Sequence, residues 1–278
     1  MQETEGLEAL ERSMATNGVG YSVLMGTSFK KTWVGKADSA PPVHHLYDDG
    51  DLYYYSATDG NLWRHLTAHK HKKGVSAMGK FSMTGVGMNL GDYSCGEEAK
   101  AMLENYPAVV GFGEITLQCD DINNVTVKGG NWTYTEPSVK KIIAVAGNPS
   151  NSKKPLPLIF LSDARSVSTK PYRADFEYLD EIEMVCNENE SVKCLWINAG
   201  ASTRGQWDGY PDIVKTMCKK HKNLYISFTP ELIMGKVMGI SREQALHLAE
   251  ELPHRVVLGT TARGLFEKPP AETFGESS

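Results

Sequence analysis

The chain has 278 residues, 41% of them hydrophobic and 23% charged, which suits a single α/β domain with a sizeable core and excludes the disordered and fibrous classes. A formal net charge of −5 gives no electrostatic case for a nucleic-acid partner or an anionic membrane surface. No stretch approaches the roughly 20 consecutive apolar residues that a membrane span needs, and the acidic opening, residues 1–14, does not read as a signal peptide.

The predicted elements alternate from the start. Thr4 caps a helix with Leu7, Leu10 and Met14 on one face, Asn17-Gly18 closes it, and a strand follows over residues 21–25. Residues 27–60 carry Lys30, Lys31, Pro41, Pro42 and an Asp48-Asp49-Gly50-Asp51 run, and read as a long excursion above the sheet. A helix over 61–72 precedes a Gly-interrupted strand over 81–88. A helix over 95–105 precedes a clear apolar strand over 109–117. Beyond a polar loop, Pro137 sits in the first turn of a helix reaching about Ala146. Strands over 157–161, 192–197, 224–228 and 255–259 then alternate with helices over 175–188, 210–220 and 242–251.

Strand–helix alternation with strands apolar on both faces predicts a parallel sheet with right-handed crossovers. Seven such strands are one short of a closed (β/α) barrel. No GxGxxG or GxxxxGK[ST] motif follows the first strand, so an open nucleotide-binding sheet has no support. Polar residues cluster after the strand ends, where barrel active sites lie.

Five cysteines, at 95, 119, 186, 194 and 218, show neither a CxxC spacing nor a dense secreted pattern, and read as reduced thiols in a reducing compartment, cytoplasm or organelle interior. Three N-x-S/T sequons begin at Asn124, Asn131 and Asn189. The basic run His69-Lys70-His71-Lys72-Lys73 reads as a solvated helix end, and its HxH as a surface pair.

Several segments in order carry a resemblance. They are Lys30-Lys31, the stretch 52–59 ending in Thr58-Asp59, Gly111-Phe112-Gly113-Glu114-Ile115, Cys119-Asp120-Asp121, Ser162-Asp163, and Trp196-Ile197-Asn198-Ala199-Gly200-Ala201-Ser202. Together, from about Leu7 to Gly264, the chain resembles the amidohydrolase superfamily, specifically the amidohydrolase-related TIM-barrel hydrolases and decarboxylases. The resemblance implies a TIM-like barrel domain over residues 1–264 and a tail over 265–278.

That family holds a divalent metal with an HxH pair on the first strand, Glu or Lys on the fourth, histidines on the fifth and sixth, and Asp on the eighth. Carried over by position, the fourth-strand ligand is matched by Glu114. The fifth-strand histidine falls on Leu161, the sixth-strand histidine on Asn198, and the eighth-strand Asp on Thr261. The HxH strand and the closing helix have no counterpart. The resemblance therefore implies an incomplete barrel, lacking the first strand and the last helix, with one contiguous gap.

Catalytic zinc needs three protein ligands and an open position. Glu114 and Asp163 supply two oxygens, enough for a weakly held divalent cation and too few to bring a bound water to a pKa of about 7. Glu114 also reads as a buried carboxylate paired with Lys30, Lys31 or Arg165, and Asp163 as a loop-ordering cap. A substrate pocket on this scaffold would draw on Lys30, Lys31, Tyr55, Asp121, Arg165, Asn198, Arg204 and Thr261. Tyr53-Tyr54-Tyr55 with Trp63 and Trp132 could floor it or pack the excursion. His44-His45 reads as a pocket-mouth pair or a packed one. Ser162 and Ser202 lack a GxSxG elbow, and Cys119 lacks an identifiable base.

Two function classes follow. One is a non-catalytic descendant acting as a binding or structural subunit, with a partner chain or a second copy covering the open barrel edge. The other is a hydrolase or decarboxylase of a small carboxylate or amide, with a remodelled centre around Glu114 and Asp163 as its catalytic residues.

Overall fold

The computed structural model describes residues 2–26, 28–33, 46–48, 51–73, 80–89, 94–118, 137–162, 166–167, 173–174, 177–200, 209–228 and 241–259. Helix α1 spans Gln2–Thr16. The buried Leu7 and Met14 and the half-buried Leu10 form the face it turns to the core. It starts two residues before the Thr4 cap expected from sequence. Strand β1, Ser22–Met25, pairs in parallel with β5, Phe81–Gly85.

Between them the segment expected as an excursion contains a second sheet. Strands β2 (Ser28–Trp33), β3 (Leu46–Asp48) and β4 (Asp51–Ala57) form an antiparallel sheet in the order β2-β4-β3. Helix α2, Asp59–Lys73, then leads into β5. Its buried stripe is Leu62, Leu66 and His69, spaced i, i+4 and i+7 on one helical face. This corrects the surface reading of the HxH pair. His69 is 2% exposed, its ring stands edge-on to Phe81 at 5.8 Å, and its Nε2 lies 3.4 Å from Glu11 Oε2. Glu11 Oε1 in turn accepts from Lys80 Nζ at 2.9 Å. His71, two residues on, is exposed.

The rest follows the predicted alternation. Helix α3 (Cys95–Asn105) leads to β6 (Val109–Gln118), α4 (Pro137–Gly147) to β7 (Leu158–Ser162), and α5 (Glu177–Glu188) to β10 (Cys194–Ile197). Helix α6 (Tyr210–Lys220) leads to β11 (Leu224–Phe228), and α7 (Arg242–Glu251) to β12 (Val256–Leu258). A short antiparallel pair, β8 (Ser166–Val167) and β9 (Arg173–Ala174), sits between β7 and α5. Helix α7 opens on a capping box, with the Ser241 hydroxyl accepting the Gln244 amide and the Gln244 side chain accepting the Ser241 amide.

The seven parallel strands are ordered β1-β5-β6-β7-β10-β11-β12. Each pairs with the next parallel strand in the chain. Right-handed crossovers in constant order place every helix on one face, and such a sheet rolls toward closure. A doubly wound sheet reverses its order part-way, and this one does not. The fold is an incomplete (β/α) barrel of the TIM type.

Alternate residues serve two layers. Phe112, Leu158, Phe160, Cys194, Trp196, Leu224 and Ile226 meet the helices in one continuous core with Ile142, Ile143, Ile182 and Val214. Ser82, Thr84, Ile159, Ile197 and Ser227 are also buried, and by strand alternation they point to the opposite, inner face. Among the described residues β1 and β12 are the two edges of this sheet.

Three cysteines converge on the helix side. Cys186 of α5, Cys194 of β10 and Cys218 of α6 are buried and free. A hydrogen bond with Cys194, and then burial, raises the Cys186 thiol, and burial pushes Cys218 up to about 11. Thiols held protonated in this way are packing groups. Cys95 is likewise buried, its thiol donating to the Ser138 carbonyl, and Cys119 lies outside the described residues. No described helix is long and apolar enough to cross a membrane.

Candidate functional site at the C-terminal rim

Three segments define the described part of the rim. The first was not singled out as a site in the sequence. Asp59 opens α2, where the helix N-terminus favours a carboxylate, and its side chain reaches the end of β5. Asp59 Oδ2 accepts the Val86 amide at 2.9 Å and the Gly87 amide at 2.6 Å. Oδ1 is buried and has no hydrogen-bond partner among the described residues. Burial raises the carboxyl above its ordinary value, opposed by the two amides.

Two glycines make room for it. A Cβ on Gly26 would come within 2.4 Å of Asp59 Oδ1, and one on Gly87 within 2.9 Å of Oδ2. Asp59 thus joins the end of β1, the start of α2 and the end of β5. No sequence signal marked it, because its amide partners lie 27 and 28 positions away and its burial is a tertiary fact.

The second segment is Gly113-Glu114 in β6. Gly113 has φ +124°, and a Cβ there would lie 2.1 Å from the Ile159 carbonyl oxygen of the neighbouring strand, so only glycine fits. The Gly113–Glu114 peptide is cis. The ladder with β7 changes register across this step, between Phe112 and Ile115. Glu114 is half-buried, one residue before the core side chain Ile115.

The third is the turn after β10. Asn198, Ala199 and Gly200 take φ values of 53°, 49° and 69°, three consecutive left-handed residues. Ala199 in that region costs about 1–2 kcal/mol. The buried Tyr210 hydroxyl donates to the Ala199 carbonyl and anchors the turn to the start of α6.

Of the residues expected at the site, Glu114 and Asn198 are described with their side chains, on β6 and directly after β10. Lys30 and Tyr55 stand opposite each other in the β2–β4 ladder, and Lys31 stands opposite Tyr54. The backbone of Leu161 is in β7. Asp121, Asp163, Arg165, Arg204 and Thr261 lie outside the described residues, as do His44, His45, Trp132 and Ser202.

The described donors do not by themselves make up a catalytic zinc site. The described positions offer one carboxylate at Glu114, one neutral amide at Asn198 and no donor at Leu161. Among the described residues no group of three or more His, Cys, Asp or Glu side chains could hold a metal ion.

No family model and no curated protein matches this sequence. Among solved structures, an amidohydrolase from Burkholderia multivorans with bound zinc superposes at a TM-score of 0.49 and 10% identity, over 96% of this chain and 77% of that one. An uncharacterized TIM-barrel protein from Bordetella bronchiseptica gives 0.34 and 13%, over 73% and 77%. These are likenesses of chain path. The zinc belongs to the Burkholderia protein.

Proposed function

We propose that this chain is an amidohydrolase-like barrel that has given up metal-dependent hydrolysis and acts as a non-catalytic binding or structural subunit. One observation carries the reading. Among the described residues the barrel-type sheet ends in two edges that carry exposed apolar side chains: Tyr21, Val23 and Met25 at β1, and Val257 on β12. An exposed apolar strand edge is a template for another chain. The amide at Asn198 and the apolar Leu161, at positions where the family resemblance implies imidazoles, support the loss of hydrolysis.

Native mass spectrometry with elemental analysis of the purified chain tests this. A metal-free chain in a complex is expected. A monomer with stoichiometric metal would overturn it.

A second reading is favoured by the placement of Glu114 at the C-terminal half of β6. It makes the chain a hydrolase or decarboxylase of a small carboxylate or amide, with Glu114 and Asp163 around a divalent cation. It requires bound metal that Glu114→Gln abolishes together with activity. Retention of both in that variant sinks it.

A further inference from the structure

We infer that the β2-β4-β3 sheet is a flap hinged on the C-terminal rim, and that the Asp59 side chain is the catch at its hinge. The inference goes beyond the functional reading above and holds for a binding barrel and an enzyme alike. The chain leaves the barrel at Gly26, directly after β1, and re-enters it at Asp59, the first residue of α2. These two feet touch although they lie far apart in sequence. A Cβ on Gly26 would collide with Asp59 Oδ1 and crowd the Thr58 side chain.

The ladder of the flap starts at those feet. Ser28 pairs with Ala57, and the antiparallel register then runs unbroken to Trp33 opposite Leu52, with β3 added on the other side of β4. Among the described residues none of these strands pairs with the seven-stranded sheet. The ladder bonds of the flap are therefore internal to it, and it can turn as a unit. One of its two connections to the barrel is a glycine, whose backbone accepts a wide range of φ.

The catch is built to release at small cost. Asp59 Oδ2 accepts the Val86 and Gly87 amides and so ties both feet to the end of β5. Oδ1 is buried and has no hydrogen-bond partner among the described residues. Closure thus gains two hydrogen bonds and leaves half of a carboxyl group dehydrated without compensation. Opening breaks the two bonds and returns water to that oxygen, so the two effects oppose each other. The burial that holds this carboxyl above its ordinary value is the same penalty felt by its charged form. A flap turning at this point changes access to the C-terminal rim, where barrel sites lie.

The test is double electron–electron resonance on the full chain carrying Cys119→Ser, with nitroxides on Thr32→Cys in β2 and Glu97→Cys on the exposed side of α3. The four other cysteines are buried and stay unlabelled. Gly26→Ala pushes Oδ1 off its seat, and Asp59→Ala removes the catch. Each is expected to add a second, distinct distance and to raise its weight about tenfold, the worth of about one amide hydrogen bond. A control pair on Glu97→Cys and Lys219→Cys, both on barrel helices, should keep its distance. Circular dichroism verifies folding, and Asp59→Asn replaces either variant that fails it. A distribution that both variants leave unchanged would overturn the inference. So would a featureless spread in place of a second distance, or a control pair that shifts together with the flap pair.

Discussion

Asp59 holds Gly87: the carboxylate at the first turn of α2 accepts the Gly87 amide at 2.6 Å, and the same oxygen accepts Val86. Asp59→Ala leaves both amides without their acceptor, the Val86 amide buried and the Gly87 amide part-buried. Leaving buried donors unpaired costs about 1–3 kcal/mol each, so a loss of about 2–4 kcal/mol in urea unfolding is expected. Asp59→Asn keeps an acceptor and should lose less than half as much. An alanine variant within about 0.5 kcal/mol of wild type, the scatter of ordinary surface substitutions, would show that the clasp contributes nothing.

The same carboxyl sets a pH slope. Burial raises it above 3.8 in the folded chain, so between 3.8 and the folded value the native state binds more protons than the unfolded one. Its contribution to stability is full below 3.8 and is lost as pH rises through the folded value. Glu183 acts in the opposite sense. The Lys220 ammonium hydrogen-bonded to it lowers it from 4.5, so its contribution is present above 4.5 and fades as pH falls. Unfolding free energies of wild type and Asp59→Asn from about pH 3 to 8 should diverge, the wild type losing ground as pH rises. Parallel curves would remove Asp59 from the account.

Tyr210 and Ala199 should prove coupled. Tyr210→Phe leaves the Ala199 carbonyl without its donor and should cost about 1–3 kcal/mol. Ala199→Gly relieves the left-handed strain and should return about 1 kcal/mol. A double-mutant cycle with zero coupling would mean that the hydroxyl does not hold the turn.

His69 is a buried ring with neither nitrogen hydrogen-bonded among the described residues. His69→Phe keeps the contact with Phe81 and removes two buried polar atoms, so it should be neutral or stabilising by about 1 kcal/mol. His69→Ala opens a cavity between α1 and α2 and should cost about 2–4 kcal/mol. A marked loss of melting temperature in the phenylalanine variant would show instead that the 3.4 Å approach to Glu11 stabilises the seam.

The seven strands were readable because each is an apolar run bounded by turn residues, a local signal. The β2–β4 sheet was not: Lys30-Lys31 and Tyr53-Tyr54-Tyr55 break the two-residue alternation that marks a strand. His69 was misjudged because three lysines beside it dominate a linear reading, although its spacing from Leu62 and Leu66 already put it on the inner stripe. Glu114 could be placed on its strand because glycines and apolar residues surround it. Asp59 could not be recognised, since its partners are backbone amides 27 and 28 positions away.

The strand order β1-β5-β6-β7-β10-β11-β12 bears on how such a chain can be inherited. Every parallel strand is adjacent in space to the one synthesised just before it, so no unit is threaded between two others. A βα unit can therefore be added to or shed from either end without rewiring what remains, as a course of bricks can be left off a wall. Removal leaves a finished sheet with a new border and its remaining strand pairs intact.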